Sequence, residues 1–345
     1  MRVSDRSLRF MMRAKGPAGF LAGIVCAPMN VLLGAVESSI AVRQSQPKWP
    51  PIFIVGPPRS GTTLLYQAMS NALAVCYVNN LTNFASAFPA LVTLAAKPLV
   101  RFSSPGSYAS RFGLTGGWNG PNTATRLWKR WFADGRPHIA EVLPNKRHGR
   151  RMIGAVSLIE RIHRMPFVNK WTSNSARVPE LGRSFPRAVF VRVRRDYLDV
   201  AESMLDARRR LRADPHAPLT PWPRGFEQPR TQHYTRCICE HLRKIEAAID
   251  HGKRVVGEER FFEVEYERFC ESPREVIASF REYYAERSGY YIPWRGEIPG
   301  SFERRRSRKI GEADYRALRE CLLELGMGFR GSELGSTAAA APVTS

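Results

Sequence analysis

Between Ile52 and Tyr66 the chain reads Ile-Phe-Ile-Val-Gly-Pro-Pro-Arg-Ser-Gly-Thr-Thr-Leu-Leu-Tyr. An apolar β-branched run, Ile52 to Val55, gives way to a turn rich in Gly and Pro, after which Leu64, Leu65, Ala68 and Met69 recur at helical spacing. The order is strand, loop, helix start. Gly56 and Gly61 carry no Cβ, so the backbone between them can curl and direct successive N–H groups at one anion, at the positive end of the helix dipole. Ser60, Thr62 and Thr63 add hydroxyl donors and Arg59 adds a charge. The stretch reads as a cradle for a phosphate-like group.

The Gly56 to Gly61 spacing is that of a nucleotide-triphosphate P-loop, but Thr62 stands where such a loop has its Lys. ATP and GTP would lose the residue that reaches their outer phosphates. Pro57-Pro58-Arg59-Ser60-Gly61-Thr62-Thr63-Leu64 instead resembles the loop of the sulfotransferases, Pro-x-Arg/Lys-Ser-Gly-Thr-Thr-Leu/Trp. That loop binds the 5′-phosphosulfate of PAPS, 3′-phosphoadenosine 5′-phosphosulfate. The resemblance implies Arg59, Ser60, Gly61, Thr62, Thr63 and Leu64 as donor-binding residues; the plain alternative is a turn that merely opens a helix.

A second stretch supports the resemblance. Ala188 to Val193 reads as a strand and Arg194 to Ser203 as the turn and helix after it. Sulfotransferases carry Arg-Asp-Pro-x-Asp-Val-x-x-Ser here, with the Arg and the Ser eight residues on gripping the 3′-phosphate. Arg195 and Ser203 fall at that spacing with Asp199-Val200 between them, and Tyr197 departs from the usual Pro. A helix entered near Asp196 lets both face one pocket.

At 345 residues and 43% hydrophobic, the chain can bury a large single α/β core. A net charge of +22 favours anionic partners. The six cysteines show neither a disulfide framework nor a Cys-x-x-Cys pair, which fits a reducing compartment, the cytoplasm. Met1 to Lys15 is basic and Phe20 to Val36 is mostly apolar, interrupted by Pro28 and Asn30. No cleavage pattern follows it closely, so a helix resting on a membrane or packed on the domain is expected over a spanning anchor or a removable signal. Three regions result: a basic and apolar helical segment over 1–45, the main domain over 46–330, and a small, polar, disordered tail over 331–345.

The general base is the least legible part. Where tyrosylprotein and many carbohydrate sulfotransferases place a Glu, Asn79-Asn80 follows a stretch, Ala74 to Val78, that can form a second strand. Where cytosolic members have Lys-Thr-His, Lys170-Trp171-Thr172 keeps the Lys, which the resemblance places on the bridging oxygen, and puts Thr in place of His. His138 and Glu141 remain as candidates by chemistry, each equally readable as an ordinary surface or structural residue. Trp118, Trp128 and Trp131 could line an acceptor pocket, although such density of Trp more often packs a core. Leu205 to Arg230, with an Arg run and then several Pro, reads as a long loop or lid. Arg308 and Lys309, in the basic loop before a last helix over Asp314 to Leu325, match a family element that closes over the 3′-phosphate, or form a basic surface loop.

The resemblance covers roughly residues 50 to 327 and implies a three-layer α/β/α fold with a central parallel sheet, the P-loop NTPase-like sulfotransferase fold, with both motifs at the carboxyl ends of strands. It also implies transfer of a sulfuryl group from PAPS to a hydroxyl or amine of a carbohydrate, lipid or small molecule, with release of PAP. Arg59, Lys170 and the loop N–H groups would stabilise the developing charge. The strand before the second motif ends in Arg rather than a Walker-B Asp, so no metal is expected. Nucleic acid is not expected as a partner, and an anionic membrane surface stays open as one. Two other classes stay open: a P-loop kinase or NTPase, and a non-catalytic protein that binds anionic membranes or nucleic acid.

Overall fold

The computed structural model describes residues 31–98, 108, 110–111, 114–132, 139, 141–212, 215–216, 233–304 and 310–329. A helix over residues 31–41 (α1) leads by a Pro-containing linker into strand β1, Ile52–Val55, all four residues of which are buried. β1 lies inside a four-stranded sheet with β4 (Val168–Lys170), β5 (Val189–Arg194) and β6 (Phe261–Glu265), in the order β4-β1-β5-β6. Every pairing is parallel, with Ile54 opposite both Lys170 and Val191. Strands of a parallel sheet are buried on both faces, which is why β1 and most of β5 read as near-continuous apolar runs rather than alternating ones.

Helices cover both faces. Phe53, Val55 and Phe190 point into a core shared with α5 (Thr125–Phe132), α6 (Lys146–His163), α7 (Val178–Ser184) and α9 (Tyr234–Val256). Ile52, Ile54 and Val191 point the other way, against α2 (Thr62–Ala72), α10 (Tyr266–Glu271) and α11 (Pro273–Ser288). A third apolar cluster joins α8 (Tyr197–Arg212), α9 and α12 (Glu312–Glu324). The arrangement is the expected three-layer α/β/α with a central parallel sheet. Between α2 and α5 come α3 (Asn80–Phe84), α4 (Pro89–Ala96) and a short antiparallel pair, β2 (Ser110–Arg111) with β3 (Leu114–Thr115). Trp128 and Trp131 pack edge to face, 5.1 Å between ring centroids, and both are buried in the core, whereas Trp118 is exposed.

Two expectations are corrected. Ala74 to Val78 does not form a strand. Cys76 makes one bridge with Phe167, donating to Pro166 and accepting from Val168, while Leu73 and Asn79 turn away to pair with Trp294 and Pro121. The expected loop from Leu205 begins later, because α8 continues to Arg212; the Arg run favours helix and the first Pro stands at 215. Arg208, within that run, is buried rather than solvated, and its Nη1 donates to the Pro215 carbonyl. The rest of the Pro-rich stretch, 217–232, and the tail lie outside the described residues.

Candidate active site

The two motifs converge at the carboxyl edge of the sheet, where β1 and its neighbour β5 end side by side. β1 leaves the sheet at Gly56, whose N–H donates to Ser175 Oγ at 3.0 Å and whose carbonyl accepts from the same hydroxyl at 3.1 Å. Ser175 belongs to a 3-10 turn, Thr172–Arg177, that follows β4. One side chain thus anchors the start of the loop from across the sheet. The turn then tightens on Pro57, whose carbonyl accepts from both the N–H and the hydroxyl of buried Ser60. The Ser60 proton serves the turn itself, leaving its lone pairs as acceptors.

Arg59 has a φ of 74°, in the left-handed region that non-glycine residues seldom occupy. Such a conformation costs about 1–3 kcal/mol and persists only where its surroundings over-determine it. Its surroundings here are the second motif. Arg195 Nη1 donates to the Arg59 carbonyl at 3.1 Å, and Arg59 Nε donates to Ser203 Oγ at 3.0 Å. The backbone and the side chain of one loop residue are therefore gripped by the two residues that the sequence pairs at eight-residue spacing.

Asp196 starts α8, its Oδ1 accepting the N–H groups of Leu198 and Asp199 at 3.0 and 3.1 Å. Tyr197 occupies the first helical position, where Pro is favoured but any residue fits because that N–H has no intrahelical partner. Arg195 is further fixed by Asp199, 3.4 Å from Nη2, and by the ring of Tyr266, 4.5 Å from the guanidinium carbon to the centroid. The same ring lies against Gly61, so that a Cβ there would sit 2.2 Å from Tyr266 Cδ2. Gly61, at φ 102°, precedes α2, and the first turn of that helix has neither a side-chain cap nor an acidic residue. Arg59, Gly61, Thr63 and Leu64 are partly exposed while Ser60 and Thr62 are buried, which marks the open side of the loop.

Lys170 is the last residue of β4, beside Ile54 of β1. It is 6% exposed, and burial, followed by the nearby charge of Arg59, pushes its ammonium down to about 8. Thr172 opens the 3-10 turn, and Trp171 turns into the core, stacked with Trp128 at 6.4 Å and under the guanidinium of buried Arg177. Arg59, Ser60, Gly61, Thr62, Thr63, Leu64, Lys170, Arg195 and Ser203 thus gather at one edge of the sheet.

Asn79 and Asn80 are structural. Asn79 Oδ1 accepts from Thr82 N–H, capping α3, and Asn80 Nδ2 donates to the carbonyls of Thr115 and Gly117, with Asn122 Nδ2 donating back to Asn80 Oδ1. Their amides fasten the Gly-rich loop. Glu141 is half-buried ahead of α6. His138, Arg308 and Lys309 lie outside the described residues. Ser175 and Tyr266 were not singled out by the sequence as site residues. For Tyr266 a local signal exists, an aromatic where the alternating run Phe261 to Glu265 passes into a helix; for Ser175 there is none.

A family model, the sulfotransferase family, matches residues 50–283, so the chain belongs to the sulfotransferase family. Among solved structures it is similar to sulfotransferase STF9 from Mycobacterium avium, at 13% identity over 86% of this chain and 77% of that one, TM-score 0.46. It is also similar to sulfotransferase STF1 from Mycobacterium tuberculosis H37Rv, at 14% identity over 69% and 67%, TM-score 0.42. A third is the sulfotransferase domain of the Synechococcus PCC 7002 olefin synthase, at 14% identity over 87% and 98%, TM-score 0.39. No curated protein matches the chain.

Proposed function

We propose that this sulfotransferase takes its sulfuryl group from PAPS and transfers it to a hydroxyl or amine of a carbohydrate, lipid or small-molecule acceptor, releasing PAP. The observation that carries this reading is the double grip on Arg59, whose carbonyl is held by Arg195 and whose Nε is held by Ser203. It joins a loop fit for one phosphate to a helix start fit for another. The residues suit a bisphosphorylated nucleotide. Arg59 and N–H groups of the partly exposed loop residues would hold the 5′-phosphosulfate, Arg195 and Ser203 the 3′-phosphate, and Arg308 and Lys309 would close over the latter.

When bound, PAPS supplies an activated sulfuryl group on its 5′-phosphate. Arg59 and Lys170 bring positive charge to the end of the sheet where the departing phosphate oxygen gathers negative charge, and they do so without reorganising at the moment of transfer. Lys170 sits in low dielectric, which strengthens its attraction to that oxygen. Taking the acceptor's proton falls to His138 or Glu141, since the amides of Asn79 and Asn80 and the hydroxyl of Thr172 are not bases. The cytoplasmic placement read from the sequence belongs to the same proposal.

Calorimetric titration of the purified protein with PAP, alongside Arg59→Ala and Arg195→Ala, tests the donor site. Wild-type binding lost in both folded variants supports it. No binding by folded wild type would refute PAPS as the donor.

A further inference from the structure

Helix α1 has two unlike faces. Gly34, Glu37 and Ala41 are buried against the domain. The Glu37 carboxylate accepts the N–H groups of Ala90 and Leu91, at 3.0 and 2.9 Å, where α4 begins. At Ala41 the backbone approaches α6 so closely that a Cβ on Gly154 would lie 1.9 Å from the Ala41 carbonyl oxygen. A helix held by a buried carboxylate and by backbone contact is fixed in rotation, so its outward face is set by the fold. That face carries Val31, Leu32, Val36 and Ile40, which are 73, 65, 44 and 40% exposed. Leu32, Val36 and Ile40 recur every fourth residue and so form one stripe along the helix.

Single exposed apolar residues are ordinary, but a stripe of them on one docked helix invites a cover. Charge selects what covers it. The 30 residues ahead of α1 carry Arg2, Arg6, Arg9, Arg13 and Lys15 against the single acid Asp5, and their apolar run from Phe20 leads directly into the stripe. With +22 on each molecule, a second copy is repelled and an anionic surface is attracted. Among the described residues no helix is long and apolar enough to cross a membrane. Apolar side chains on one face beside a cationic segment are the makings of a helix that lies in an interface.

We propose that α1 rests in the plane of an anionic lipid bilayer, with Val31, Leu32, Val36 and Ile40 in the boundary between headgroups and acyl chains. The buried Glu37 side of the helix then fastens the catalytic domain to that surface. This docking is independent of which donor the active site uses.

Vesicle flotation of the full chain tests it, with phosphatidylcholine vesicles carrying or lacking phosphatidylserine. The wild type is expected to float with the anionic vesicles, less so as salt rises. Val36→Asp/Ile40→Asp is expected to lower the bound fraction about tenfold with an unchanged melting temperature. Val255→Asp/Leu323→Asp makes the same charge change at two other exposed apolar side chains and should bind as the wild type does. Should the first variant melt early, Val31→Asp/Leu32→Asp at the open end of α1 probes the same stripe. Absence of wild-type binding overturns the proposal, as does equal loss in the stripe and control variants, which would reduce the effect to overall charge. So does a wild-type dimer, seen by light scattering, that the stripe variant dissociates without lipid.

Discussion

The ring of Tyr266 rests on Gly61 so closely that no side chain fits between them, a Cβ at Gly61 falling 2.2 Å from Cδ2. One aromatic face thereby sets the height of the loop, and the same ring stacks with Arg195, 4.5 Å away. Gly61→Ala must move the ring or the loop, and it also strains a residue at φ 102°. A loss of about 1–3 kcal/mol in unfolding free energy is expected, with loss of PAP binding. Adding Tyr266→Ala should restore part of the stability but not the binding, because Arg195 then loses its stack. Chemical denaturation and calorimetry of the single and double variants check this.

Ser203→Ala removes the acceptor for Arg59 Nε while leaving Arg195 on the Arg59 carbonyl. The loop stays attached but the Arg59 Nε loses this acceptor. PAP affinity should fall about tenfold with little change in melting temperature, the cost of one hydrogen bond to a charged group. A fall in melting temperature as large as that of Arg195→Ala would show that Ser203 serves the fold instead.

Lys170 offers a proton-linked signature. Its pKa is pushed down from 10.5 to about 8 by burial and by Arg59, so above about pH 8 the side chain is mostly neutral in the free protein. A bound polyphosphate anion favours the ammonium, so binding between about pH 8 and 9 should draw a proton from solution, whereas near pH 6.5 Lys170 is already charged and takes up none. Titrations in buffers of different ionisation enthalpy measure this uptake, and Lys170→Met should abolish it.

Two buried carboxylates give the fold a pH dependence of definite sign. Glu160 accepts the N–H groups of Lys48 and Trp49, just ahead of β1, and Glu37 those of Ala90 and Leu91. Burial raises each from 4.5 to about 7 against the opposing pull of those bonds. Between about pH 4.5 and 7 the folded state therefore holds more protons than the unfolded chain, so these groups add stability as pH falls through about 7 and lose it as pH rises. Relative to Glu160→Gln and to Glu37→Gln, wild-type melting temperature should rise on going from pH 8 to about pH 5.5. A parallel pH course in all three proteins would contradict this.

Arg192, buried in β5, donates to Glu246 at 2.5 Å and to Asp250 at 2.6 Å, both on α9. Glu246 is itself buried, so Arg192→Ala strands a carboxylate in the core and should destabilise the protein by about 3–5 kcal/mol in chemical denaturation. Glu246→Gln in the same background should recover part of that loss.

The parts of this molecule that were legible in the sequence are those written locally. The Gly56 to Leu64 loop and the Arg195 to Ser203 helix start declare themselves within a dozen residues each, because turn chemistry and helix capping act over one turn of chain. What escaped depends on distant partners. Arg59 gives no hint of a positive φ, since the contacts that hold it come from Arg195, just after β5, and from Ser203 on α8. Ser175 is an ordinary Ser until the sheet sets it beside Gly56. Ala74 to Val78 has the composition of a strand but only one residue of it finds a ladder partner, and Leu205 to Arg212 looked like loop because the later prolines dominated its neighbourhood. The familiar base positions hold Asn and Thr, and which residue replaces them is a matter of three-dimensional approach rather than of local pattern.

The strained Arg59 also places the site late in the folding order. Its restraints come from residues 136 and 144 positions further along the chain, and β1 can pair with β5 only once that much polypeptide has been made and closed on itself. Contacts of such sequence separation form slowly and near the end of folding. A ribosome-bound fragment that stops before Arg195 would carry the whole Gly56 to Leu64 loop and yet lack both holds on Arg59, so the finished shape of the loop becomes a readout of how far synthesis has gone.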